Sequence, residues 1–166
     1  MKIIKKVPNS VLWLLETNSE SSKNILDEFK KNNIDINRII FAKNLPNKEH
    51  LKRIKLADIF LDTFPYTAHT TASDFIRMGV PIITLAGESF ASRVAASILN
   101  QVNLNELVTK NKDDYQNLAI NIGKNEEKIN NLKKKLKESI LNSTLFNNVL
   151  YTKNLEELLS NLSKNS

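Results

Sequence analysis

Residues 57–93, ADIFLDTFPYTAHTTASDFIRMGVPIITLAGESFASR, constrain the fold more than any other stretch of the chain. Ile59–Leu61 is a short apolar run that stops at Asp62, and Pro65 interrupts the residues that follow. Beyond His69-Thr70-Thr71 the apolar positions recur at helical spacing, at Ala72, Phe75, Ile76 and Met78, and Gly79 closes that pattern. Val80–Leu85 then reads as a second, buried strand. Strand, polar loop, helix, glycine and strand make a βαβ unit, whose two strands pair in parallel. Thr70 or Thr71 is the predicted N-cap, so free backbone N–H groups stand at the helix start beside hydroxyls and an imidazole. Such a start is a place where a phosphate can bind.

The preceding residues repeat the alternation. Met1–Val7 reads as the end of a helix stopped by Pro8-Asn9, and Ser10–Leu15 as a central parallel strand, apolar on both faces. Glu20–Asn33 carries Ile25, Leu26 and Phe29 on one side of an amphipathic helix, and Arg38–Ala42 is the second strand. A loop containing Pro46 leads into a short helix over Asn47–Leu56 with His50 in its first turn. Ser89–Val102 reads as a helix of small residues. After it the strands stop, and Leu104–Val108, Asp113–Ile122, Glu126–Leu141 and Asn154–Leu162 all read as helical.

The order βαβαβαβ followed by helices predicts a doubly wound α/β fold, a Rossmann-like parallel sheet with a helical C-terminal tail over about residues 104–166. With no linker in 166 residues, residues 1–166 are expected to form one domain. In such sheets ligands lie beyond the carboxyl ends of the strands, where loops 43–50, 62–71 and 86–93 bring His50, His69, Thr70, Thr71 and Glu88 within reach of one another.

Composition excludes several classes. The chain has no cysteine, which rules out disulfides, thiolate metal sites and a cysteine nucleophile. No stretch approaches the length of a membrane span and no signal sequence opens the chain, so no membrane partner and a cytoplasmic location are expected. The net charge of +6 raises the question of nucleic acid. The lysines are interleaved with acids and spread along solvated helix faces, including the run over 124–137, so no nucleic-acid partner is expected.

The segments VPNSVLWLL, RIIF, Pro46-x-x-Glu49-His50, LADIFLDT, His69-Thr70-Thr71-x-x-Asp74, Gly79-x-Pro81 and GESFASRVAAS, in this order, resemble the C-terminal half of O-GlcNAc transferase and of SPINDLY-type protein O-glycosyltransferases, including bacterial tetratricopeptide-linked members. LFNNVLYTKNLEELL is similar to the closing segment of that family, so the resemblance spans nearly the whole chain. It implies the second, donor-binding lobe of a GT-B glycosyltransferase. The family transfers N-acetylglucosamine from UDP, or sometimes fucose from GDP, to Ser or Thr hydroxyls. By resemblance, His69, Thr70 and Thr71 hold the diphosphate, Asp74 faces the ribose, and His50 lies against the uracil.

The expected ligand is therefore a UDP-sugar, UDP-GlcNAc above all, used without a cofactor. No Asp-x-Asp occurs in the chain, so helix N–H groups, hydroxyls and cations are expected to stabilise the departing diphosphate without a metal. No catalytic residue is expected here. By resemblance the catalytic group and the surface for the acceptor protein belong to an N-terminal lobe, expected either from a separately encoded chain or from the part of a longer transferase of which this chain is a fragment truncated at its N-terminus. Two departures from the family stand out. Asn47 occupies the position of a lysine, with Lys48 one residue on, and the family's preceding strand and phosphate-contacting lysine have no counterpart before Met1. The alternative expectation is a non-catalytic remnant that keeps the lobe for packing.

Overall fold

A computed structural model describes residues 1–164; the last two residues of the expected tail lie outside the described residues. The elements in chain order are α1 (Lys2–Lys6), β1 (Leu12–Leu15), α2 (Ser19–Lys31), β2 (Ile39–Ala42), α3 (Asn47–Ile54), β3 (Phe60–Leu61), α4 (Thr70–Arg77) and β4 (Ile82–Leu85). They continue with α5 (Val94–Gln101), β5 (Val108–Thr109), α6 (Lys112–Gly123), α7 (Glu126–Asn142) and α8 (Asn148–Lys164). Every strand pairing is parallel, so the fold is the expected Rossmann-like α/β arrangement.

The ladder is not continuous. β1 pairs with β2, Leu12 opposite Ile39 and Leu15 opposite Ala42, while β3, β4 and β5 form a second sheet in that order. The core divides in the same way. The larger cluster gathers Ile54, Ile76, Ile82, Ile83, Leu99, Leu104 and Leu136, and a smaller one gathers Ile4, Phe29, Ile34 and Ile39. This corrects the reading of Ser10–Leu15 as a central strand. β1 has one strand neighbour only, so Leu12, Trp13 and Leu14 are half-buried and Leu15 is exposed. β4, flanked on both sides, is the strand that is buried throughout Ile82–Thr84.

Other boundaries moved for local reasons. Residues 104–109 are not a helix: a 3-10 turn over Asn105–Leu107 delivers β5, which pairs Val108 and Thr109 with Thr84 and Leu85. The expected helix over Ser89–Val102 opens with a separate 3-10 turn at Phe90–Ser92, because the Ser89 hydroxyl accepts the Ser92 N–H and closes the chain early. The turn packs tightly on Gly87, where a Cβ would stand 2.7 Å from the Ser92 Oγ. α8 begins six residues before the expected Asn154, capped by Asn147, whose side chain accepts the Leu150 N–H.

Short helix α1 joins the two cores. Ile4 packs in the smaller, Ile3 against the larger, and Val7 lies on Gly123 of α6, where a Cβ would meet it at 3.2 Å. Its carbonyl end is held by Arg38, at the entry to β2. The guanidinium donates to the carbonyls of Ile4 (2.8 Å), Val7 (2.7 Å) and Ser10 (2.8 Å), and to the Ser10 hydroxyl (2.9 Å). Nε and Nη2 carry three N–H groups between them, and the planar fork aims them at four acceptors, one N–H being shared, which an ammonium on a flexible stem cannot do. Arg38→Lys should therefore cost about 2 kcal/mol, lowering the thermal midpoint by roughly 4–8 °C. Thermal denaturation followed by circular dichroism checks this, and an unchanged midpoint in Arg38→Met as well would show that the four bonds hold nothing.

Candidate functional site

The carboxyl ends of β3 and β4 carry the two loops that meet at the start of α4. The helix begins at Thr70 with His69 as the N-cap residue, and no side chain caps it. Thr70 or Thr71 was expected to be that cap; both lie instead in the first turn, exposed, and neither hydroxyl caps the helix. The contrast with α2, α6 and α7 is direct, since Asn18, Asn111 and Asn125 each accept an N–H from the first turn of their helix. The first turn of α4 keeps its N–H groups uncapped.

The loop leading to His69 is fixed from below by Asp62, which is buried at 2% exposure. Its Oδ1 accepts the N–H groups of Thr63 (2.9 Å) and Ala68 (2.8 Å), and its Oδ2 accepts the Thr84 hydroxyl (2.7 Å) from β4. The Tyr115 hydroxyl of α6 donates to the Asp62 carbonyl (2.9 Å), and the ring of Phe64 stands edge-on to Tyr115. Burial raises the Asp62 carboxyl above the ordinary carboxylate range, against the Thr84, Ala68 and Thr63 donors and the His69 imidazole, all of which favour the charged form. Burial, then the nearby Asp62 charge, also raises the Tyr115 phenol.

From the side, the Ala91 carbonyl binds this loop to loop 86–93. It accepts the Thr67 N–H (3.0 Å) and the Thr67 hydroxyl (2.8 Å), and the His69 Nε2 lies 3.4 Å away. A carbonyl only accepts, so this contact puts the imidazole proton on Nε2. The His69 ring stacks on Tyr66 at 4.8 Å between centroids and meets Phe90 edge-on at 6.1 Å. His69 is thus held on three sides while Thr70 and Thr71 remain open to solvent.

The third loop contributes His50. It sits in α3, which packs against α4, so both expected histidines belong to neighbouring helices. The His50 Nδ1 lies 3.1 Å from Arg53 Nη2. Arginine cannot accept, so Nδ1 does, and the His50 proton resides on Nε2. Arg53 also donates to the Lys43 carbonyl (2.7 Å) and lies over the ring of Trp13, 5.0 Å from its centroid. Its Nε is buried with no hydrogen-bond partner among the described residues. Asp74, one turn into α4, is half-buried; its backbone carbonyl accepts the Met78 N–H (3.0 Å), and its carboxylate makes no hydrogen bond or ion pair among the described residues.

Glu88, expected near the site, is exposed on loop 86–93 and forms no ion pair with Arg93. Sequence reasoning did not single out Arg53, although its spacing of three from His50 on a helix places both on one face. It read Asp62, at a strand end, as a residue that shapes the loop but did not find its partners, and it read Trp13 as core rather than as the ring beneath Arg53. Among the described residues no three or more His, Asp or Glu side chains come together as metal ligands would.

The Arg53–His50 contact gives a spectroscopic expectation. In the neutral ring, long-range 15N correlation should show His50 protonated on Nε2. Arg53→Met should shift that population toward Nδ1–H, and an Nδ1–H tautomer in the unaltered chain would overturn the assignment.

Comparisons place this geometry. Residues 1–155 match the family described as glycosyl transferase family 41. The chain is 35% identical to the UDP-N-acetylglucosamine–peptide N-acetylglucosaminyltransferase of Caenorhabditis elegans over 164 residues, 99% of this chain and 14% of that protein. It is 35% identical to the probable UDP-N-acetylglucosamine–peptide N-acetylglucosaminyltransferase SEC of Arabidopsis thaliana, over 93% of this chain and 16% of the relative. A SPINDLY protein of Petunia hybrida with the same type of name is 39% identical over 68% of the chain. The solved structure of an O-GlcNAc transferase mutant from Thermobaculum terrenum superposes with a TM-score of 0.87 at 25% identity, covering 95% of this chain and 31% of that one. The chain thus spans about a seventh of the first two curated relatives.

Proposed function

The chain belongs to glycosyl transferase family 41, and from that membership we propose that it is the donor-binding part of a protein O-glycosyltransferase that uses a UDP-sugar, UDP-GlcNAc above all. The observation that carries the reading is the uncapped start of α4, where the N–H groups of the first turn lie beside the Thr70 and Thr71 hydroxyls and a clamped His69. When a glycosyl bond to a diphosphate breaks, negative charge develops on the departing oxygen. Fixed N–H dipoles and two hydroxyls stabilise that charge without needing to reorganise, and His69 holds the start of the helix in place through its contact with the Ala91 carbonyl.

Asp74, unpartnered on the same helix, takes the ribose hydroxyls as a hydrogen-bond acceptor, and His50 meets the base with its orientation set by Arg53. Asn47 and Lys48, in the first turn of α3, stand where the family has its lysine, so the base side of the site rests more heavily on His50 and Arg53. The transfer inverts the anomeric centre and uses no metal, and the acceptor protein and the catalytic group come from a lobe outside these residues. The cell compartment is the cytoplasm.

A second reading has its own observation. The sheet is in two separate parts, and the apolar residues Val11, Leu15 and Ile40 of the smaller part are exposed, as in a lobe kept for packing against a partner rather than for turnover.

Calorimetry of the purified chain with UDP and with GDP, without added metal, tests the first reading. UDP should bind saturably and more tightly than GDP, and His69→Ala or Thr71→Ala should each weaken it about tenfold, equivalent to roughly 1.4 kcal/mol. Equal UDP affinity in both variants would remove the assignment, and a folded chain that binds neither nucleotide would favour the packing role.

A further inference from the structure

We propose that Asp62 is a positioning residue of the nucleotide site: its carboxylate touches no ligand but sets the path of residues 63–68 and thereby the placement of His69, Thr70 and Thr71. The inference rests on the reading of α4 as the diphosphate site and goes beyond it. A carboxylate at 2% exposure is expensive to keep, and here the groups that hydrogen-bond to it are three neutral donors. Two of those donors, the N–H groups of Thr63 and Ala68, are the two ends of one loop, and both reach the same oxygen. The loop is therefore closed through Oδ1, as a turn is closed through a backbone carbonyl.

The other oxygen ties the loop to the sheet. Oδ2 accepts the Thr84 hydroxyl, and the Thr84 carbonyl in turn accepts the hydroxyl of Thr109 from β5 (2.9 Å). Tyr115 of α6 completes the cradle through the Asp62 carbonyl. The chain from Ala68 N–H to the start of α4 is two residues long, so a shift of the Ala68 amide is transmitted directly to His69 and to the first helical turn. Thr67 and His69 cannot absorb that shift without breaking their contacts to the Ala91 carbonyl.

The geometry makes a specific distinction between shape and charge. In Asp62→Asn the amide oxygen keeps both loop N–H groups and the amide nitrogen donates to the Thr84 Oγ, which is able to accept as well as donate. In Asp62→Ala the loop loses its closure. UDP affinity measured by calorimetry should fall at least tenfold in Asp62→Ala and stay within about threefold of the parent in Asp62→Asn. Thr84→Val, which removes one donor and leaves β4 intact, should fall in between, and Thr84→Ser should restore binding. These two variants decide the matter if Asp62→Ala does not fold.

A second readout does not depend on the nucleotide. The amide resonances of Ala68, Thr70 and Thr71 and the ring protons of His69 should move in Asp62→Ala and Thr84→Val but not in Asp62→Asn or Thr84→Ser. A folded Asp62→Ala that keeps parental UDP affinity and parental shifts at these residues overturns the proposal. So does an Asp62→Asn variant as impaired as Asp62→Ala, because charge and not geometry would then be what matters. If the parent chain does not bind UDP at all, the diphosphate reading falls, and the resonances alone still decide whether Asp62 sets this loop.

Discussion

Parallel strands can be joined only by a crossover, and the crossover from β3 through α4 to β4 is the constraint on which the rest of this molecule depends. It puts the start of α4 at the carboxyl end of the sheet, between the loops that follow β3 and β4. The helix-forming residues Ala72, Phe75 and Ile76 are buried, which turns Thr70 outward by helical periodicity, while Thr71, on the side of Phe75, is exposed because it stands at the open end of the helix. Binding chemistry at this end follows from the direction of the strands, and the identity of the side chains only refines it.

What is unusual is how little strand holds the crossover in place. β3 and β5 are two residues each, and the ladder of β3 on β4 is correspondingly short. Polar side chains do the joining instead. Asp62, Thr67, Thr84, Thr109 and Tyr115 link loops, sheet and α6 through bonds of 2.7–2.9 Å. Buried and mutually satisfied, such groups specify one arrangement where a purely apolar contact would tolerate several. Neither β5 nor α6 belongs to the βαβ unit itself, yet both reach the site through Thr109 and Tyr115.

The sequence was readable where periodicity and punctuation carry the information. Ile59–Leu61, the Ala72–Met78 pattern, Gly79 and the apolar run to Leu85 were enough to place β3, α4 and β4, and Gly79 does adopt the positive φ of 81° that a helix-ending glycine allows. His69, Thr70 and Thr71 lie together as read, and His50 is on the adjoining helix. The misses have a common cause. The role of Asp62 depends on Thr84 and Ala68, that of Arg38 on Ile4, Val7 and Ser10, and that of Arg53 on Trp13, partners that local pattern does not reveal. The break in the sheet is not legible in local pattern either, since an apolar strand such as Leu12–Leu15 looks alike whether it has one neighbour or two. A β-strand of two residues, like β5, is below the length at which alternation can be read.

The division of the core also governs how the chain opens. Ile4, Phe29, Ile34 and Ile39 form a small cluster beneath a two-stranded ladder, whereas the cluster around Ile82 and Leu99 is several times larger. Free energy of local opening scales with what is exposed, so the two parts are separate cooperative units of unequal strength. Amide protons of β1, β2 and α2 exchange with solvent through a cheaper fluctuation than those of β4 and α5. His50 and Arg53 stand on α3, which Ile54 roots in the larger cluster with His69 and α4, while Arg53 alone reaches over to Trp13 and the Lys43 carbonyl beside the smaller one. Arg53, rooted on the stronger unit and reaching the weaker, is therefore the point at which an opening of β1 and β2 is felt at the candidate site.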